Sequence, residues 1–580
     1  MTRNDEVARA LAELARLTAI DEGDPNGFRV RAYQNAARAI EVLGRDVAGM
    51  AATELTEVKG IGKSTAGKIR QFLDEGRIDK LEELRAKYPP GQLELLRVPG
   101  LGPKTVALLG DVLGVQDLAG LEAAIADGRL TSLPGMGEKL QENLRDAIVR
   151  MRTASKEHRR PIAEVHPVAD ALLERLHQVP GVAAVDVAGS LRRFRETIGD
   201  VDLLVASSDA APVMDALARH HLVHQVTASG DTKTSIVTHD GLQVDLRVVP
   251  PEAYGAALIY FTGSKAHNIR LRQRAIGRGW KLSEYALADA ETGAVVAGAT
   301  EEEVYASLGL AWITPELRED DGEIELAATG DLPALPELAD LRGDLHDHTD
   351  WSGDGRNSLE EMVAAASDRG FEYFAITDHA ENLTINGISA DAMRDQRRRL
   401  RALQEQYPDL RLLHGAELNI GIDGSLDYTP EFLATFDWCV ASIHSHFRRP
   451  AREQTARLVA AMREPAVTAI GHLSGRMLGR RDGVTFDLEA VLDAAVETGT
   501  AIEINANLRR LDASAEVIRE GARRGVRFVI STDAHTIREL DNHRHGIRQA
   551  RRGGLPRDLV VNTWDTDRFL AWVADVKRPG

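Results

Sequence analysis

Three aspartates in the middle of the chain could carry phosphoryl transfer. Asp200 and Asp202, in Gly199-Asp200-Val201-Asp202, are two residues apart, so on an extended strand both carboxylates face the same side. Asp245 lies in a second β-rich run, Gln243–Val249, and a neighbouring strand would bring it alongside. Three carboxylates on one sheet face suit two Mg²⁺ ions, hard cations that take oxygen ligands and share substrate phosphates. Such a pair stabilises both the attacking and the leaving oxygen of an in-line displacement. Upstream, Gly189-Ser190-Leu191-Arg192-Arg193 offers Gly189, Ser190 and Arg193 to cradle a triphosphate. Asp-x-Asp alone also fits a solvated strand edge.

A second constellation is spread over Asp344 to His535. Short apolar runs end in Asp344-Leu345-His346-Asp347-His348, Ser352-Gly353-Asp354, Thr377-Asp378-His379, Gly415-Ala416-Glu417, Ser442-Ile443-His444, Gly471-His472 and Ser531-Thr532-Asp533-Ala534-His535. Imidazole and carboxylate donors without thiolate suit Mn²⁺, Zn²⁺ or Fe²⁺, and such a centre can polarise a phosphate ester for hydrolysis. A lone strand histidine is usually a satisfied core residue, but repetition at successive strand ends is not explained that way.

The elements that must position these residues are legible as patterns. Helical spacing runs through Glu6–Leu17, Val30–Leu43 and Ala66–Leu73. A glycine-turn unit then recurs as Val58-Lys59-Gly60-Ile61-Gly62-Lys63, Val98-Pro99-Gly100-Leu101-Gly102-Pro103-Lys104 and Leu133-Pro134-Gly135-Met136-Gly137-Glu138-Lys139. Each turn aims backbone N–H groups and a helix N-terminus at one point, which suits a phosphate oxygen, and the lysines add positive charge. Strands are expected over Val182–Ala188, Val201–Ala206, Ser235–Thr238 and Gln243–Val249, with helices near His166–Gln178 and Pro212–His221. After residue 340, seven strand candidates alternate with helices: Leu341–Leu345, Tyr373–Thr377, Arg411–Ala416, Trp438–Ile443, Val467–Gly471, Ala501–Asn505 and Arg527–Ser531. That alternation predicts a parallel α/β barrel with the ligand-type residues at its C-terminal strand ends.

At 580 residues several domains are expected. The boundaries are 1–85 (helical, with the first glycine turn), 86–155 (the two further turns), 156–250 (the carboxylate sheet), 251–318, an acidic, proline-punctuated linker over 319–340, and 341–580 (the barrel). No apolar run is long enough to span a bilayer and the N-terminus has no signal-peptide core, so no membrane partner is expected. Cys439 is the only cysteine, which excludes an intramolecular disulfide and cysteine-rich zinc sites and fits a cytoplasmic location. The net charge of −18 has the wrong sign for a nucleic-acid binder, but bound cations offset part of it and local patches decide binding. A monomer is expected.

These motifs carry resemblances. The three glycine turns resemble helix-hairpin-helix motifs, which grip DNA backbone without reading sequence. Gly60, Gly62, Lys63, Gly100, Gly102, Lys104, Gly135 and Gly137 would then contact DNA. Gly189-Ser190 followed by Asp200-Val201-Asp202 resembles the nucleotidyltransferase signature. With Asp245, Tyr260-Phe261-Thr262-Gly263-Ser264, Asn268, Arg272 and Gly279-Trp280-Lys281-Leu282-Ser283-Glu284-Tyr285, residues 5–318 resemble DNA polymerase family X. The resemblance implies a palm over 156–250 and a thumb over 251–318, with Asp200, Asp202 and Asp245 as catalytic carboxylates. Ser190, Arg193 and Gly199 would hold the triphosphate, Tyr260 and Phe261 the incoming sugar, Asn268 the base edge and Arg272 the DNA, with Gly263 also at the nucleotide. Lys68 aligns with a lysine that forms a Schiff base at abasic sugars. Tyr33 is matched, but Phe28 stands where the vertebrate repair enzyme has a histidine, which leaves lyase action open.

Residues 341–572 resemble the PHP domain (polymerase and histidinol phosphatase), a distorted (β/α)7 barrel that holds up to three metal ions. Nine ligands carry over: His346, His348, Asp354, His379, Glu417, His444, His472, Asp533 and His535. Asp354 stands where many phosphatase members have histidine. Asp378 is expected behind the ligands, and His414 and His446 are spare. Together the resemblances imply a polymerase of gapped DNA and dNTPs, with 3′→5′ exonuclease and, as further expectations, abasic-site endonuclease or 3′-phosphatase action. The alternative is a phosphoesterase of small metabolites fused to an inactive polymerase-like module.

Overall fold

The computed structural model describes residues 3–578 apart from 25, 26, 42, 44, 45, 89, 90, 92–94, 96, 97, 99, 100, 134–136, 138–143, 145–158 and 384. The chain divides into two compact units, Met1–His158 and Arg159–Gly580. No helix among the described residues is long and apolar enough to cross a membrane.

The first unit is helical among its described residues. Helices Arg3–Glu22 and Phe28–Glu41 pack on each other, and Leu11, Leu14, Leu17, Val30, Ala36 and Ile40 form the contact. Two of the three glycine turns can be followed. In the first, Ile61 N donates to Val58 O at 3.0 Å, and in the second, Leu101 N donates to Val98 O at the same distance. Ile61 and Leu101 are both buried, so the apolar residue between the glycines plugs the core. Gly62 and Gly102 then cap helices Lys63–Glu75 and Pro103–Leu113 with no side-chain cap, leaving N-terminal N–H groups for an outside acceptor. Gly100, Gly135 and Lys139 lie outside the described residues, and Gly137 belongs to no assigned element.

The second unit begins with a five-stranded sheet: β1 Val182–Val187, β2 Val201–Ser207, β3 Val223–Ser229, β4 Lys233–Thr238 and β5 Gln243–Val249, in the order β1-β2-β5-β4-β3. β2 and β5 are parallel and the other pairings antiparallel. The sequence pattern did not suggest β3. It is an edge strand whose side chains are exposed on both faces, so it carries no apolar alternation. Beyond the sheet, a buried ion network ties residues 254–318 to it. Glu301 takes Arg192 and Arg318 through 2.7 Å contacts, and His267 bonds Glu323 at 2.6 Å and Tyr305 at 2.8 Å. The stretch 319–340, expected as a linker, is packed: it holds helix Glu323–Thr329, and Asp321 pairs with Arg519 at 2.9 Å.

The rest is a seven-stranded parallel barrel: β6 Gly343–Asp344, β7 Tyr373–Ile376, β8 Arg411–Asn419, β9 Trp438–Ser442, β10 Ala469–Ile470, β11 Ala501–Asn505 and β12 Phe528–Ser531, each beside its chain neighbour. The strands are buried apart from the two ends of β8, Arg411 and Asn419, as expected where helices cover a parallel sheet. A parallel bridge between Asp347 and Ala534 brings the last strand back to the first. Helix Thr566–Val576 covers the N-terminal strand ends, where Phe569 stacks on Tyr373 at 4.4 Å and packs against Trp438. The opposite ends remain for chemistry.

Candidate active sites

On the first sheet, Asp202 and Asp245 are register partners on parallel strands β2 and β5, with Asp200 just before β2. The side chains therefore converge as the spacing predicts. Asp202 is pushed up to about 7, first by burial and then by the charges of Asp200 and Asp245. Asp200 is also raised, by burial and then Asp245. Lys233 on β4 offsets part of this, lying 3.3 Å from Asp245 Oδ2, a contact the sequence did not suggest. The buried Asp245 Oδ1 has no hydrogen-bond partner among the described residues. A crowded carboxylate set with a spare oxygen fits divalent cations.

Gly189 and Ser190 open a short helix, Gly189–Arg192, against this set. A Cβ on Gly189 would stand 2.3 Å from Asp202 Oδ2, so only glycine lets the backbone come so close. Arg193 donates to the carbonyl of Thr262 and pairs with Glu319 at 3.1 Å. That places the end of helix Tyr254–Thr262, and Gly263 after it, beside the loop. Tyr260 is partly exposed, its ring 5.0 Å from that of Phe261, which lies under Arg247. Asn268 donates to Tyr260 O at 2.8 Å, and Arg272 donates to Asn268 O at 3.2 Å. Gly199 sits beside Asp200, with the Arg159 side chain nearby. In the first unit, half-buried Lys68 lies 5.8 Å from the Tyr33 ring, and Phe28 is exposed.

At the barrel mouth the expected ligands come together from six of the seven strand ends. His346 and His348 follow β6, His379 follows β7, Glu417 lies in β8 two residues before its end, His444 follows β9, His472 follows β10, and Asp533 and His535 follow β12. Asp354 enters from the loop after β6. Three overlapping groups could each hold a cation: His348, Asp354, His379 and His535; His346, His348 and Asp533; His379, Glu417 and His444. Glu417 is the common centre, 3.5 Å from His346 Nε2, 3.1 Å from His444 Nε2 and 2.9 Å from His472 Nε2.

The electrostatics fit a ligand set. His348 is pushed down to about 3 by burial and by His535 and His379, so its imidazole is a neutral donor. Burial would raise Glu417, but His444, His346 and His379 outweigh it and hold the carboxylate ionised. His346 Nε2 and His348 Nε2 are buried without a hydrogen bond among the described residues. Two of the expected ligands have left-handed backbone, His472 at φ 24° and Asp533 at φ 54°, a strain found mainly where function demands it. Gly471, before His472, is required because a Cβ there would meet Ser442 Oγ at 2.4 Å.

The residues behind the ligands were mostly missed by sequence reasoning. Glu503 accepts from His346 Nδ1 at 2.6 Å, Asn419 bonds His444 at 2.7 Å, Asn386 bonds Asp354 at 2.6 Å and Asn505 bonds Asp533 at 3.1 Å. Glu503 and Asn505 alternate along β11, the one strand without a ligand-type residue just beyond its end, and that gap was the available signal. Asp378 is buried but accepts from Thr349 and Gln396 and braces the loop after β6. Spare His414 lies under Phe436 with Arg397 on its Nδ1, and His446 is exposed.

Comparison with known proteins supplies the family. Residues 2–78 match the helix-hairpin-helix domain, 93–149 the SAM-like helix-hairpin-helix tandem, 257–319 the DNA polymerase beta thumb and 344–507 the PHP domain. The chain is similar to "DNA polymerase/3'-5' exonuclease PolX" of Bacillus subtilis (strain 168), with 38% identity over 95% of this chain and 96% of that protein. It resembles a "Probable phosphatase" of Acetivibrio thermocellus at 31% identity over 38% of this chain and 90% of that one. "DNA polymerase lambda" of Rattus norvegicus is 26% identical over 50% of this chain and 52% of its own. Matched almost end to end by the first of these relatives, the chain belongs to the bacterial family X DNA polymerases that carry a PHP domain.

Proposed function

We propose that this chain is a DNA-directed DNA polymerase that fills short gaps during repair and trims 3′ ends with its barrel. The observation that carries the reading is two separate sites of cation-type donors in one chain: three convergent aspartates on the palm sheet and three overlapping His, Asp and Glu groups at the barrel mouth.

At the palm, Asp200, Asp202 and Asp245 would hold Mg²⁺. The ions supply charge neutralisation for the attacking and leaving oxygens. Ser190 and Arg193 orient the triphosphate, and Gly189 lets the backbone approach the carboxylates. Tyr260 and Phe261 pack against the sugar, while Asn268 reaches the base edge and Arg272 the DNA. In the first unit, the uncapped helix N-termini at Gly62 and Gly102, with Lys63 and Lys104, grip backbone phosphates of gapped duplex. Lys68 beside Tyr33 is the candidate for abasic-sugar chemistry.

At the barrel, the imidazoles and carboxylates would hold up to three ions, Mn²⁺, Zn²⁺ or Fe²⁺ by donor type, which supply Lewis acidity toward a phosphodiester. Glu417 links the three groups of ligands, and Glu503 and Asn419 fix the ring orientations of His346 and His444. Exposed Arg448, Arg480 and Arg509, on the loops after β9, β10 and β11, suit a polyanionic strand.

A 5′-labelled primer on gapped DNA, with and without dNTPs, in Mg²⁺ and in Mn²⁺, tests the reading. Extension with dNTPs and 3′ shortening without them are expected, and a chain that does neither contradicts it. The likeness to a phosphatase favours one second reading, hydrolysis of small phosphate esters at the barrel. Turnover of histidinol phosphate but not of single-stranded DNA would select it.

A further inference from the structure

The loop read above as the triphosphate cradle is gripped by the barrel. Barrel helix His543–Arg552 lies against it. Arg548 Nη2 donates to the carbonyl of Arg192 at 2.6 Å, while its Nε pairs with Glu316 at 2.8 Å. One turn later, Arg552 Nη1 donates to the carbonyl of Arg193 at 2.8 Å and pairs with Glu319 at 3.0 Å. Glu319 also holds the Arg193 guanidinium, at 3.1 Å, so a palm arginine and a barrel arginine share one carboxylate.

The next residue shows what the grip does. Phe194 is fully buried and has φ 54°, a backbone region that a bulky residue occupies only where its surroundings impose it. Those surroundings are the same barrel helix: the Arg548 guanidinium lies 4.6 Å from the Phe194 ring centre, and His545 stacks beside it at 6.2 Å. At the far end of the loop, Glu196 pairs at 2.7 Å with Arg476, from the loop after β10. Leu511 and Leu478 from barrel loops complete the palm's apolar core.

We propose that Arg548 and Arg552 are positioning residues for nucleotide addition, holding the 192–194 backbone and, through Glu319, the Arg193 side chain in the arrangement that receives the triphosphate. The barrel thereby sets the nucleotide affinity of the palm, apart from its own hydrolytic chemistry. The inference rests on the reading of the 189–193 loop as the triphosphate site. Neither arginine touches nucleotide. Each acts through a backbone carbonyl and a carboxylate, and charge-assisted bonds of this kind are among the stronger ones in a protein.

The test uses the full chain and compares wild type with R552A, R552K and R193A. Steady-state kcat and KM for dNTP are measured on a gapped primer, and kcat/KM for exonuclease on single-stranded DNA in Mn²⁺. R552A should raise the dNTP KM about tenfold with kcat little changed and exonuclease within about twofold of wild type, and R552K should recover most of the loss. If R193A raises KM but R552A leaves it within about twofold, the positioning role is wrong. If R193A also leaves KM unchanged, the loop is not the triphosphate site and the inference falls with that reading. Should R552A lose its thermal transition and both activities, the milder R552Q and R548Q are judged instead, and a dNTP KM within about twofold of wild type in both overturns the proposal.

Discussion

His346 Nδ1 lies 2.6 Å from Glu503 Oε1, with both side chains buried, while the other Glu503 oxygen accepts the backbone N–H of His472 at 2.5 Å. One carboxylate therefore sets the tautomer of His346 and braces the backbone of His472, both proposed ligands. Removing such a partner typically weakens a metal site by about 10–100-fold. E503Q should lower exonuclease rate by about that factor at limiting Mn²⁺, recover with added Mn²⁺, and leave primer extension unchanged. A Mn²⁺ titration of both activities checks this, and an unchanged titration midpoint contradicts it.

His545 gives the palm–barrel joint a pH dependence. It is buried between His166, at 5.3 Å, and Phe194, and is pushed down to about 3 by burial and then by His166, Arg544 and Arg548. In the unfolded chain the imidazole titrates near 6.5. The unfolded state thus binds the proton first, so the contribution of neutral His545 is intact above pH 6.5 and is lost as the pH falls toward 3. H545F should remove this loss. Its unfolding free energy relative to wild type should rise by about 1.4 kcal/mol per pH unit below the mid-6 range. Denaturant titrations at several pH values test this, and parallel curves would contradict it.

The Arg192–Glu301–Arg318 network is fully buried at Arg318 and nearly so at Glu301. R318A strands part of the Glu301 charge and should cost about 3–5 kcal/mol of stability, whereas R318M paired with E301Q should cost much less. Chemical denaturation of the two variants decides, and equal losses would show that burial of charge is not the cause.

Lys63 and Lys104 lie in the first turns of the helices that follow the two described glycine turns. K63A with K104A should weaken DNA binding similarly for unrelated sequences and reduce the salt slope by about 0.9 for each phosphate no longer neutralised. Fluorescence anisotropy over a salt series measures this, and a wild-type slope would remove the lysines from the interface.

The legible parts of the chain were those with a period or a spacing. Asp200 and Asp202 declare a shared strand face, and the barrel strands read as apolar runs, six of the seven closing on a ligand-type residue. What stayed hidden depends on partners distant in sequence. Glu503 and Asn505 sit inside an apolar strand and gain meaning only beside His346 and Asp533. Strand β3 is an exposed edge with no alternation. Glu319 and Asp321 read as linker charge because their partners, Arg552 and Arg519, come some two hundred residues later.

On the proposed reading, one chain houses two phosphoryl-transfer sites built from separate side chains. The most direct measurement is a time course of a 5′-labelled primer on gapped DNA, with and without dNTPs, for D200A/D202A and H346A/H348A beside wild type. The first double variant should lose extension and keep 3′ shortening, and the second should shorten nothing and still extend. Extension surviving in D200A/D202A, or shortening surviving in H346A/H348A, would contradict the assignment of that site.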